Sequence, residues 1–160
     1  MEAPRAELAR EAATMALYVT VCLIAVLSAR RDDVSQSHVD VLGLVWGTTL
    51  GLALAHWFAF RLSARLVSKG ALHRHDAEVA GAQLAGASVV ALVASVPVLL
   101  LPASAELDAT RFALAALVAA AGFAVARSSG ASTARSLVYA IVMLGLAMVV
   151  AVVKNHLAGH

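Results

Sequence analysis

Residues 12–29 read AATMALYVTVCLIAVLSA, a run of 18 residues without a charged side chain. A helix needs about 20 mostly apolar residues to cross the hydrocarbon core of a bilayer, and about 17–25 are tolerated. Four more mostly apolar runs follow, at residues 39–62, 80–101, 109–126 and 134–153. None shows the alternation of apolar and polar residues that marks the strands of a membrane β-barrel. The sequence predicts an all-α, polytopic integral membrane protein, a bundle of five transmembrane helices in one domain.

The composition agrees with lipid as the solvent of this chain. Hydrophobic residues make up 61 % and charged residues 14 % of the 160 residues, whereas soluble domains average about 45–50 % and about 25 %. A soluble domain of this length exposes too much surface to hide such an apolar fraction, and disordered chains are poor in apolar residues and rich in charge. The net charge of +2 gives no reason to expect a nucleic-acid partner.

Lys and Arg in the loops predict the orientation, because short cytoplasmic loops are enriched in both. Eight basic residues lie on the side of the N-terminus and four on the other side. The eight are Arg5, Arg10, Arg61, Arg65, Lys69, Arg74, Arg127 and Arg135, and the four are Arg30, Arg31, Arg111 and Lys154. We expect a multi-pass protein of the cell membrane with a cytoplasmic N-terminus and an outside C-terminus.

Two details of the fourth run lead to further expectations. Asp108 precedes the run and is a suitable N-cap for its helix. The run is rich in Ala and only about 27 Å long as a helix, so we expect it to be packed inside the bundle.

Small residues recur at every fourth position of the second run. This small-residue stripe consists of Gly43, Gly47, Gly51, Ala55, Ala59 and Ser63. Such stripes let two helix backbones approach closely in lipid, so the pattern predicts close helix packing. It leaves open whether the partner helix belongs to the same chain or to another, and lining of a narrow pore is the alternative.

His56 is the only ionisable side chain well inside one of the runs. Ionisable groups inside a membrane are candidates for function, and imidazole titrates near neutral pH, as a proton relay requires. Thr49 lies seven residues earlier, nearly on the same helix face. The alternative is that His56 belongs to an interfacial aromatic belt with its neighbours Trp57 and Phe58.

Three more polar side chains share the depth of His56, about 5–9 Å below the inner surface at 1.5 Å per residue. They are Gln83, Tyr18 and Tyr139. We expect either one polar layer at this depth or four separate interfacial anchors.

Basic residues continue every fourth position beyond the second run, at Arg61, Arg65 and Lys69. The helix is expected to extend past the membrane, where this basic face would bind anionic lipid headgroups or serve only as positive-inside flanking. In the following loop, His73, His75 and Asp76 are spaced for an extended chain. A solvated loop explains them better than a metal site, and we expect no metal and no cofactor.

On the outer side, His38, Asp40, His156 and His160 can gather near Glu106 and Asp108. Such a rim can attract cations or sense pH, but a generic hydrated rim is the favoured interpretation.

No phosphate-binding glycine loop and no HExxH motif occurs in the sequence, so we expect no enzymatic activity. We expect a small oligomeric channel or transporter for an ion or small solute, with His56, Thr49 and Gln83 in its pathway. The alternative is a non-transporting membrane scaffold or accessory subunit that associates through the small-residue stripe.

Overall fold

The computed structural model describes residues 2–29, 37–67 and 74–157. In this part of the chain all regular structure is helical, and the five helices follow one another in a simple order. They are α1 (Glu2–Ala29), α2 (His38–Val67), α3 (Arg74–Leu100), α4 (Ala103–Ser128) and α5 (Thr133–Leu157). Each is long and apolar enough to span a membrane, which confirms the predicted fold class at the level of five apolar helices.

The helices are longer than the apolar runs, and α1, α3 and α4 each begin six or more residues before their runs. Asp108 does not cap α4, because the helix begins five residues earlier, at Ala103, after Pro102 with an extended backbone. Proline suits this place since it cannot continue the preceding helix. The C-terminal end of α2 lies at Val67. The helix therefore extends beyond the apolar run that ends at residue 62, as the sequence predicts.

The connection from α4 to α5 is a tight turn. Gly130 has φ of +79°, a conformation that glycine adopts at little cost. The amide of Ala131 donates to the carbonyl of Ala126 at 3.1 Å, as in a Schellman motif. Because the turn is so short, α4 and α5 pack side by side.

The helix α1 is the centre of the bundle, since it contacts each of the other four helices. Its most extensive contact is with α3. In α1 and α3, 44 % of the apolar window is buried, against 22 % in α4. The expectation that α4 is the packed inner helix is therefore wrong. Its short apolar run reflected a helix that begins with polar residues, rather than a helix shielded from lipid.

Two glycines outside the small-residue stripe, Gly86 and Gly122, allow pairs of helices within the chain to approach each other closely. A Cβ atom at Gly86 of α3 would overlap the backbone carbonyl of Ala12 in α1. A Cβ atom at Gly122 of α4 would lie 3.2 Å from the Cα atom of Ala140 in α5. These two contacts set the α1–α3 and α4–α5 distances, because backbones can meet only where no side chain intervenes.

The helix α2 is packed along its N-terminal half only; this half is called the outer half, and the C-terminal half the inner half, after the predicted orientation. Val41, Val45 and Thr49 are buried at four-residue spacing, whereas the positions from Leu50 to Ser63 are exposed or half-buried. The inner half of α2 therefore leaves space between itself and the α1–α3 pair, and the candidate site lies in this space.

Candidate solute-binding cavity

Two adjoining cavities fill the space beside the inner half of α2. The first, the apolar chamber, has a volume of about 410 Å³. The second, the polar mouth, has a volume of about 290 Å³. Both are lined by Met15, His56 and Gln83, so the two cavities adjoin each other at these side chains.

The apolar chamber takes its walls from α1, α2 and α3. Its remaining lining residues are Leu50, Ala53, Leu54, Trp57, Ala80, Gly81 and Leu84. Within α2 the residues 50, 53, 54 and 57 are spaced by three and four, which places them on one helix face. The chamber is thus mostly apolar with His56 and Gln83 as its polar groups, the usual character of a small-molecule site of this size.

The polar mouth adds a carboxylate that the sequence interpretation left out. It is lined by Glu11, Thr14 and Tyr18 of α1 besides the shared residues. The amide Nε2 of Gln83 donates to Oε2 of Glu11 at 2.9 Å. This bond crosses from α3 to α1 beside the close approach of Gly86 to Ala12, which brings the two helices near enough for it to form.

The polar side chains expected to share one depth divide into two groups. Tyr18, His56 and Gln83 line the polar mouth together. Tyr139 lies on α5, is 42 % exposed, and lines neither of the two cavities. The polar layer therefore consists of three of the four expected residues, with Glu11 in addition.

Thr49 also lies outside both cavities. Its side chain is buried, and its hydroxyl donates to the carbonyl of Val45 at 2.8 Å within α2. Thr49 marks the point where the packed face of α2 ends, one residue before Leu50 of the chamber wall. His56, by contrast, has no resolved hydrogen-bond partner in the described part of the chain.

The small-residue stripe faces away from the rest of the chain. All six of its residues are exposed, and a Cβ atom at Gly43, Gly47 or Gly51 would have nothing within 4 Å. The stripe is offset by two residues from the buried positions 41, 45 and 49, which corresponds to about 200° around a helix. It takes no part in packing within the described chain, and its packing against another chain stays a prediction.

The basic and metal-ligand candidates of the inner side are described only in part. The guanidinium of Arg61 lies over the ring of Trp57, 4.8 Å from its centroid, while Lys69 and the side chain of Arg65 lie outside the described residues. His73 is also outside them, and His75 lies 3.7 Å from Glu7. Among the described residues no three His, Cys, Asp or Glu side chains group as metal ligands.

At the outer end, Glu106 is not part of a hydrated rim, because it is only 1 % exposed. Its Oε2 lies 2.5 Å from Nδ1 of His38, yet no described donor meets this oxygen in hydrogen-bonding geometry. His156 and the α4 residue Asp108 are exposed, and His160 lies outside the described residues. The four-residue spacing of Glu106, Thr110, Leu114 and Val118 signals the buried face, but only once the helix start at Ala103 is known.

Two further polar contacts hold the outer half together. The guanidinium of Arg111 donates to the carbonyl of Leu27 at the end of α1, with Nη2 at 2.7 Å and Nε at 3.2 Å. The indole Nε1 of Trp46 donates to Oγ of Ser95 at 3.1 Å and joins α2 to α3. These bonds satisfy groups that would otherwise be unpaired in an apolar surrounding.

No protein family matches this chain, and no curated protein and no solved structure is significantly similar to it. Function is consequently inferred from the side chains around the cavities.

Proposed function

We propose that this chain is inserted in the cell membrane through all five helices, with the N-terminus in the cytoplasm and the C-terminus outside. The length and apolar character of the helices support insertion. So does the outer surface of α5, where Leu137, Ile141, Leu146 and Val149 are each more than half exposed. Such a surface is costly in water and matches lipid tails. The excess of basic residues on the N-terminal side supports the orientation.

In this membrane the protein transports a small solute or ion, and it is better suited to be a carrier than an open channel. The observation that carries this proposal is the pair of adjoining cavities between α1, α2 and α3, with Glu11, His56 and Gln83 among their lining residues. The outer half of α2 is packed against its neighbours through Val41 and Val45. A solute in the apolar chamber therefore reaches the outer side only after α2 has moved, which is the behaviour of a carrier.

The side chains around the cavities have distinct roles in this proposal. His56 is the proton-sensitive group, because it lines both cavities and imidazole changes its charge near neutral pH. Gln83 supplies hydrogen bonds to the solute and holds Glu11 in place. Thr49, at the end of the packed face of α2, lines the path only when the outer half of the helix opens.

Flux through liposomes that contain the purified protein tests the proposal. We expect the native protein to transport at least one of protons, monovalent ions, divalent metals or small organic ions, and His56→Ala to alter the rate or the pH dependence. Tyr139→Phe is the matched control, since Tyr139 lies outside both cavities and should leave flux unchanged. Absence of flux for all of these classes would overturn the transport proposal.

A scaffold or accessory subunit is the second candidate, and the outward small-residue stripe favours it. The stripe is exposed along the whole of α2, and nothing in the described chain approaches Gly43, Gly47 or Gly51. We infer a homo-oligomer in which the stripe meets the same stripe of a second copy, as in an isologous interface. This association is compatible with both candidates, whereas transport is expected of only one of them.

A further inference from the structure

Resting on the solute-binding role proposed above, we propose that the two cavities bind an amphipathic organic cation. Its apolar body would occupy the apolar chamber, and its positive charge would lie in the polar mouth beside the carboxylate of Glu11. The proposal follows from the distribution of apolar, aromatic and charged side chains over the two cavities.

The apolar chamber selects for an apolar body. Met15, Leu50, Leu54, Trp57 and Leu84 supply large apolar surfaces to its walls. Burial of apolar surface is favourable in proportion to its area, so a fully hydrated inorganic ion gains nothing from these walls. A solute with an aromatic or aliphatic part of matching size gains binding free energy from them.

The polar mouth selects for positive charge. Glu11 supplies its carboxylate, and the side chain of Glu11 is 27 % exposed. Gln83 fixes one oxygen of this carboxylate by its bond of 2.9 Å. The guanidinium of Arg10 lies 3.6 Å from the other oxygen of this carboxylate, but it is 73 % exposed, so solvent and salt screen its interaction with Glu11.

An aromatic ring adds to the attraction for a cation. Tyr18 lines the polar mouth together with Glu11, and the faces of aromatic rings attract cations. Trp57 already holds one cation in this way, since the guanidinium of Arg61 lies 4.8 Å from its ring centroid.

Anions find no matching partner in the same space. None of the described Arg or Lys side chains lines either cavity. A negatively charged solute in the polar mouth would lie beside the carboxylate of Glu11, which repels it. A neutral lipid tail would fill the apolar chamber without using the polar mouth, and the experiment below includes this outcome.

Two ions of the same shape and opposite charge provide the probe. We would measure binding of tetraphenylphosphonium and of tetraphenylborate to the detergent-solubilised full chain by equilibrium dialysis, with empty micelles as the blank. We expect the cation to bind at least about tenfold more tightly than the anion, a difference of about 1.4 kcal/mol. Equal affinities, or tighter binding of the anion, would overturn the proposal.

Two carboxylates on one helix provide matched variants. Glu11→Gln should weaken cation binding about tenfold or more and, because it removes a repelling charge, should strengthen anion binding. Glu7→Gln, one turn earlier in α1 and outside both cavities, should bind both ions as the native protein does. If the two variants weaken cation binding equally, Glu11 does not select for the positive charge, and the proposal fails.

A third variant separates this proposal from the solute-binding role itself. Gly81 lines the apolar chamber, and a Cβ atom there would meet nothing within 4 Å, so Gly81→Leu fills the chamber without a backbone clash. If Gly81→Leu removes binding of both ions and the native protein binds both equally, cation selection is wrong while solute binding stands. If the native protein binds neither ion and liposome flux is absent, both proposals fail.

Discussion

Nδ1 of His38 lies 2.5 Å from Oε2 of Glu106, and this contact joins the first turn of α2 to the first turn of α4. The imidazole is half exposed, whereas the carboxylate is almost completely buried. A buried carboxylate is stable only when a positive or hydrogen-bonding group faces it. His38 is the described group that does so, and it does so from the solvent side.

Removal of this imidazole should destabilise the fold. In His38→Ala the buried carboxylate of Glu106 loses the imidazole that lies at ion-pair distance from it, and we expect a loss of about 1–3 kcal/mol, the order of magnitude for removing the group that faces a buried polar group. Thermal unfolding in detergent measures it. His156→Ala, which removes an exposed imidazole from α5, is the control and should melt like the native protein. Equal melting temperatures for the two variants would mean that His38 does not stabilise the buried carboxylate of Glu106.

The closest approach of α1 and α3 should not tolerate a single added methyl group. Gly86→Ala places a Cβ atom against the carbonyl of Ala12, and overpacking of this kind costs about 1–3 kcal/mol. Gly81→Ala, in the same helix but facing open space, should not lower stability. The two melting temperatures distinguish a packing effect from the general effect of replacing glycine in a helix. A Gly86→Ala protein as stable as Gly81→Ala would contradict the α1–α3 packing.

A large side chain placed in the small-residue stripe should change the assembly of protomers and leave the fold of each protomer unchanged. Gly47→Leu adds its side chain where the chain itself has nothing within 4 Å, so the protomer should fold normally. Two α2 helices could then no longer approach closely, and the oligomer should dissociate. Light scattering of the protein–detergent complex measures its mass. An unchanged oligomer would show that the stripe is not the interface.

The five helices could be predicted because each depends on a local property of the sequence. An apolar run of about 20 residues reports a span regardless of its neighbours, and no run was missed. The helices α1, α3 and α4 begin before their apolar runs, because polar residues extend these helices beyond the apolar ones. Hydropathy alone does not distinguish a polar helical turn from a polar loop.

The candidate site could be predicted only in part, because it depends on how the helices are rotated and packed. His56 and Gln83 were found by their polarity inside apolar runs. Glu11 was not, since it lies just outside its run, and only the bond to Gln83 reveals its role. The stripe has the right composition for packing, yet Gly86 and Gly122 make the contacts within the chain. Which glycine faces which helix is a tertiary property that the spacing along one helix does not contain.

Because α2 is divided into a packed outer half and an unpacked inner half, intrinsic tryptophan fluorescence can report the movement of each half. Both tryptophans of the chain lie on this helix. Trp46 is fastened to Ser95 in the packed half, and Trp57 lines the apolar chamber in the unpacked half. Movement of the inner half alone would change the fluorescence emission of Trp57 and leave that of Trp46 unchanged. Detachment of the whole helix would change the emission of both. Single-tryptophan variants can therefore time each kind of motion without an added dye.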